Sequence, residues 1–179
     1  MATAPLTQSG AAEGERKPSI KAATKNSADA LVCLLKGGAN KEVQDEKSWT
    51  ALHHAASLNH PACIKILLQH QANCNSKSKN GLTPLMLTAQ RGNAEAMDCL
   101  LKGGAEKEQR DYSGFTALHH ASFFNYPACI KILLQHKANI NSKAKDGKTP
   151  LMMAKKEGND MAYNCLLEAG AESDSCVIA

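Results

Sequence analysis

Aromatic residues are scarce in this chain: one Trp, three Tyr and three Phe among 179 residues. Where those seven rings fall therefore carries information. No apolar stretch is long enough to span a bilayer, because charged or amide residues interrupt every run. No apolar h-region follows Met1, so a reducing cytosolic or nuclear compartment is expected rather than a secretory one. Met1-Ala2 is not Met-Gly, which excludes N-myristoylation. Cys-x-x-Cys pairs, glycine-rich phosphate loops and paired acid/base signatures are all missing, so neither an enzyme nor a cofactor is expected. The seven histidines include two adjacent pairs, His53-His54 and His119-His120. Neighbours on a helix point about 100° apart, which is wrong for shared chelation, and no metal site is expected. The formal net charge of +4 is too mild to imply nucleic acid, and no nucleic-acid recognition module is visible.

What is present is repetition. Thr50-Ala51-Leu52-His53-His54-Ala55 returns as Thr116 to Ala121, and Pro61 to His70 returns intact as Pro127 to His136. Cys33-Leu34-Leu35-Lys36-Gly37-Gly38-Ala39 returns as Cys99 to Ala105. The unit divides again, because Thr83-Pro84-Leu85-Met86 and Thr149-Pro150-Leu151-Met152 stand midway in the period. A block of two repeats has been duplicated. Cys33, Cys63, Cys99, Cys129 and Cys165 follow the period inside apolar segments, where cysteine acts as a small hydrophobe. Cysteines used in this way, without a disulfide framework, suit a reducing cytosolic or nuclear compartment.

A repeat of this length with T-P-L-H-like and L-L-x-x-G-A-like segments resembles the ankyrin repeat. The resemblance implies an all-α repeat fold: an ankyrin solenoid of about five helix-turn-helix repeats with β-hairpin-like connecting loops. The repeats are placed at residues 18–49, 50–82, 83–115, 116–148 and 149–171. Before them, residues 1–17 lack periodic apolar positions and read as a disordered segment. After them comes a tail, 172–179.

The family pattern needs a left-handed residue between the helices of each repeat, and Asn26, Asn59, Gly92, Asn125 and Gly158 stand there. Its glycine after the second helix is present as Gly38, Gly104 and Gly170, but Gln71 and Lys137 replace it in repeats two and four. The resemblance also implies that His53 and His119 order their turns by hydrogen bonding. Asn75 and Asn141 match the hairpin asparagine that asparaginyl hydroxylases modify in some members.

Partners of ankyrin proteins usually meet the hairpin tips and the exposed ends of the first helices. Carried onto this chain, those positions give Trp49, Leu58, Leu82, Arg91, Tyr112, Phe115, Phe123 and Phe124 as partner-binding residues. Tip lysines (Lys77, Lys79, Lys143, Lys145, Lys148) lie close by. Five of the seven aromatics belong to this one set, and interfaces concentrate such rings at their centres. A protein partner is expected, with the chain itself a monomer.

The last four residues, Cys176-Val177-Ile178-Ala179, resemble a C-a-a-X signal whose final alanine favours farnesylation of Cys176. A single farnesyl chain gives marginal, reversible membrane binding. The upstream Glu172-Ser173-Asp174-Ser175 is acidic and adds no polybasic support. The expectation is an adaptor recruited to the cytoplasmic side of membranes; the alternative is a cytosolic or nuclear regulator without lipid.

Overall fold

The computed structural model describes residues 17–172; Cys176 and residues 1–16 of the expected disordered segment lie outside the described residues. Ten short helices follow one another: α1 (Pro18–Thr24), α2 (Ala28–Lys36), α3 (Ala51–Ser57), α4 (Pro61–Gln69), α5 (Pro84–Arg91), α6 (Ala94–Lys102), α7 (Ala117–Phe123), α8 (Pro127–Gln135), α9 (Pro150–Lys156) and α10 (Asp160–Glu168). No strand occurs among the described residues.

Each odd-numbered helix pairs with the even-numbered one after it. The odd helices stack in one layer and the even helices in a second. Leu52, Leu85, Leu118 and Leu151 bury the odd layer, while Leu31, Ile64, Met97, Ile130 and Leu67, Leu100, Leu133, Leu166 fill the space between layers. Burying each large aliphatic side chain stabilises the fold by roughly 1.5–3 kcal/mol.

Local chemistry sets where the helices begin and end. Thr50, Thr83, Thr116 and Thr149 are extended N-caps of α3, α5, α7 and α9. Pro61, Pro84, Pro127 and Pro150 open their helices, where a missing N–H leaves nothing unsatisfied. The chain reverses between paired helices at Asn26, Asn59, Gly92, Asn125 and Gly158, all with positive φ. These asparagines also tie repeats together. Asn59 Oδ1 accepts the Ala96 N–H at 3.2 Å, and Asn125 Oδ1 accepts the Ala162 N–H at 2.9 Å.

The connecting loops have the hairpin form without strand pairing. Each is closed by a bond across its tip, from Asp45 N to Trp49 O, Ser78 N to Leu82 O, Asp111 N to Phe115 O and Ala144 N to Lys148 O. Neighbouring tips are joined by Lys79 N to Lys47 O and Lys145 N to Ser113 O. The tip turns through a left-handed Gly81, Gly114 or Gly147, but in the first hairpin Ser48 takes that conformation at φ 59.

One expectation needs correction. Cys33 is exposed rather than acting as a buried hydrophobe. Its counterparts Ile66, Cys99 and Ile132 are half-buried and Cys165 is buried. Among the described residues no repeat precedes α2 to cover it.

Gln71 and Lys137 are left-handed at φ 59 and 60, in the places where other repeats use glycine. A side chain at such a position costs about 1 kcal/mol relative to glycine. Gln71→Gly and Lys137→Gly should each raise stability by about that amount in urea unfolding; an unchanged or lower midpoint would contradict the strain.

Candidate protein-binding surface

The hairpins and first helices are held together by histidine. His53 Nδ1 accepts the Thr50 N–H at 3.1 Å and lies 2.9 Å from Thr50 Oγ1. That leaves the proton on Nε2, which donates to the Leu82 carbonyl of the next hairpin at 3.2 Å. His119 repeats the arrangement with Thr116 and the Lys148 carbonyl at 3.1 Å. In repeats three and five a methionine stands at this position. Met86 and Met152 sulfur accepts the Thr83 and Thr149 N–H at 3.5 and 3.4 Å, but a thioether has no proton to pass onward.

A second pair of histidines secures the hairpin tips. His54 Nε2 lies 2.9 Å from Asp45 Oδ2, and His120 Nε2 lies 3.0 Å from Asp111 Oδ2. The other oxygen of Asp45 accepts the Lys47 and Trp49 N–H groups, and that of Asp111 accepts those of Ser113 and Phe115. Burial acts to raise the Asp111 carboxyl, and the bonds from His120 and these amides outweigh it and leave it lowered. The aspartates escaped the sequence reading, although an Asp nine residues before a His in both blocks was a signal. His60 Nδ1 lies 2.8 Å from the Ala23 carbonyl, and Tyr126 at the equivalent place packs its ring against Gly92.

Among the described residues no group of three or more His, Cys, Asp or Glu is placed to hold a metal. Burial pushes the Cys129 thiol up to about 11, far from a nucleophilic thiolate. No described helix is long and apolar enough to cross a membrane.

The partner-binding candidates divide in two. Tyr112, Leu58, Phe124 and Phe123 are exposed at 62%, 46%, 43% and 37%, and Arg91 is exposed as well. Trp49, Leu82 and Phe115 are half-buried. Trp49 stands edge-on to His54 with centroids 5.2 Å apart, and Phe115 meets His119 and His120 at 5.6 and 5.9 Å. Leu82 packs against the core. Phe123 and Phe124 contact each other edge to face at 4.9 Å. They border a groove of about 270 Å³ between α7 and α9, which Gln90, Met153, Lys148 and Lys156 also line. Gln90 and Met153 were missed in the sequence, because the groove unites three repeats.

Short helix pairs stacked in register, with their polar groups engaged in holding the stack, define a repeat scaffold that presents a surface. A family model described as ankyrin repeats (3 copies) matches residues 19–111, 70–144 and 90–176. The chain belongs to the ankyrin repeat family, whose repeats serve protein–protein interaction.

It is similar to Inversin of Homo sapiens, 35% identical over 150 residues, covering 79% of this chain and 14% of that protein. Rabankyrin-5 of Homo sapiens is 33% identical over 149 residues, covering 80% of this chain and 13% of that protein. SH3 and multiple ankyrin repeat domains protein 2 of Homo sapiens is 31% identical over 140 residues, covering 78% and 8%. The aligned stretch is thus a small part of each relative.

Burial pushes the His53 and His119 imidazoles down to about 4. In the unfolded chain they take up protons near their ordinary value of 6.5. Stability is therefore full above that value, falls as the pH drops toward 4, and levels off below, by about 3 kcal/mol per histidine. Replacing both by methionine, the residue of repeats three and five, should flatten urea-unfolding stability across this acid window. An unaltered pH profile would show that the two histidines do not carry it.

Proposed function

We propose that this chain is a non-enzymatic adaptor that binds a protein partner through its hairpin and first-helix face. The observation that carries the reading is the exposed Phe123–Phe124 pair beside an apolar groove, on a scaffold whose other rings are mostly packed. Surface aromatics in contact with each other supply the apolar centre of an interface.

The adaptor works at the cytoplasmic side of membranes, carried there by a farnesyl group on Cys176. The Cys176 sulfur displaces diphosphate from C1 of farnesyl diphosphate: a C–S bond forms, a C–O bond breaks, and the thiol proton passes to solvent. The motif requires that Ala179 bear the free carboxylate. Five residue steps from Ala171 to Cys176 reach at most about 18 Å, which keeps the last repeat and its hairpin lysines near the bilayer. One chain anchors weakly, so membrane and cytosolic pools exchange.

Two measurements test this. Phe123→Ser with Phe124→Leu writes the repeat-two residues Ser57 and Leu58 into repeat four, a change the fold already accommodates. Affinity capture from cells should lose the partner while Tm moves little; retained capture would move the interface elsewhere. The mass of the C-terminal peptide from eukaryotic cells should show a farnesylated Cys176 that disappears with a farnesyltransferase inhibitor. An unmodified peptide would instead favour a regulator without lipid.

A further inference from the structure

We propose that the groove between α7 and α9 binds an extended acidic peptide segment by one bulky apolar side chain, with neighbouring carboxylates held by Lys148 and Lys156. This inference rests on the protein-binding reading and specifies the partner's chemistry.

On the floor of the groove, His120 and its aspartate already have their polar partners. His120 is already bonded to Asp111 at 3.0 Å, and its other nitrogen lies 3.3 Å from Gln90 Nε2. Asp111 is occupied in turn by two backbone N–H groups. What remains to be covered is apolar: the Phe123 and Phe124 rings, the edge of Phe115, and Met153 beneath them. At about 270 Å³ the space suits one or two side chains.

The rim sets the sign of the partner's charge. Lys148 and Lys156 edge the groove, with Glu157 the lone acid among its lining residues. Across residues 143–157 there are five lysines, at 143, 145, 148, 155 and 156, against Asp146 and Glu157. Lys156 is 65% exposed and pairs with Glu157 at 3.6 Å, an exposed ion pair weak enough for an incoming carboxylate to share the ammonium. Lys148 is paired with Asp146 at the hairpin tip and is 39% exposed.

The duplicated block provides an internal control. One period earlier, Ser57, Leu58, Leu82, Gln90 and Arg91 stand in place of Phe123, Phe124, Lys148, Lys156 and Glu157, while the second helices Pro61–Gln69 and Pro127–Gln135 are identical. The second helix is the same in both blocks, whereas the later groove has an aromatic wall and places two lysines and a glutamate where the earlier one has a single arginine, the same net charge set at different positions.

The test uses the full chain and a random peptide library displayed on phage, panned at low salt. Enriched peptides are then synthesised with a fluorophore and titrated by anisotropy. They should share a bulky aliphatic or aromatic residue next to at least two Asp or Glu, and bind more weakly at high salt. Both Lys148→Gln/Lys156→Gln and Phe123→Ser/Phe124→Leu should weaken binding at least about tenfold. Enriched peptides without acidic residues, or with affinities indifferent to both double variants, would overturn the groove's specificity and leave a protein-binding scaffold standing. No enrichment would overturn the inference too, and partner capture from cells would then decide the broader reading separately. Phosphatidylserine vesicles that bind through the two lysines but ignore Phe123→Ser/Phe124→Leu would make the rim a lipid contact and overturn the proposal.

Discussion

Helices of seven to nine residues cannot hold themselves together in water, since isolated helices shorter than about 12–15 residues are marginal. Every element here is below that length, so the molecule depends on stacking like on like. An odd helix is stable because another odd helix covers it, and the left-handed turn that reverses the chain brings its even partner onto the same core. The repeats need not be identical for this to work. They need an apolar stripe of fixed period, a residue tolerant of positive φ at each reversal, and a bond from one hairpin to the next.

That division explains what has stayed the same and what has changed between the two blocks. The helix from Pro61 and its copy from Pro127 agree at every position through His70 and His136, the buried Cys63, Ile64 and Leu67 and the exposed Lys65 and Gln69 alike. The threonine–histidine latch is likewise kept, since Thr50 and Thr116 are closed by the same ring geometry. The latch brings acid sensitivity that the methionine repeats lack. Change has accumulated at the end of the first helix, where Ser57-Leu58 became Phe123-Phe124. These side chains point away from the stack, so the fold exerts little constraint on them and binding can.

Much of the architecture was legible in the sequence because it follows from short-range rules. The Thr-Pro starts, the asparagines and glycines at reversals, and the misfit of Gln71 and Lys137 all depend on residues a few positions apart. Ser48 escaped notice because serine gives no hint of a left-handed tip that three glycines mark elsewhere. Cys33 misled because periodicity reports a position within a repeat, not whether a neighbour covers it. Of the partner-binding candidates, Trp49 and Phe115 could be located but their packing on histidines could not be foreseen. The groove was hidden for the same reason: Gln90, Phe123 and Met153 belong to three different repeats and meet only in the stack.

The central claim is that binding belongs to the hairpin and first-helix face, and the second helices only hold the scaffold. Hydrogen–deuterium exchange with and without a bound peptide tests this directly. The account predicts new protection in residues 112–124 and 145–157, with residues 127–135 and 160–168 unchanged. Protection confined to the second helices would contradict it and place the binding surface on the opposite side of the stack.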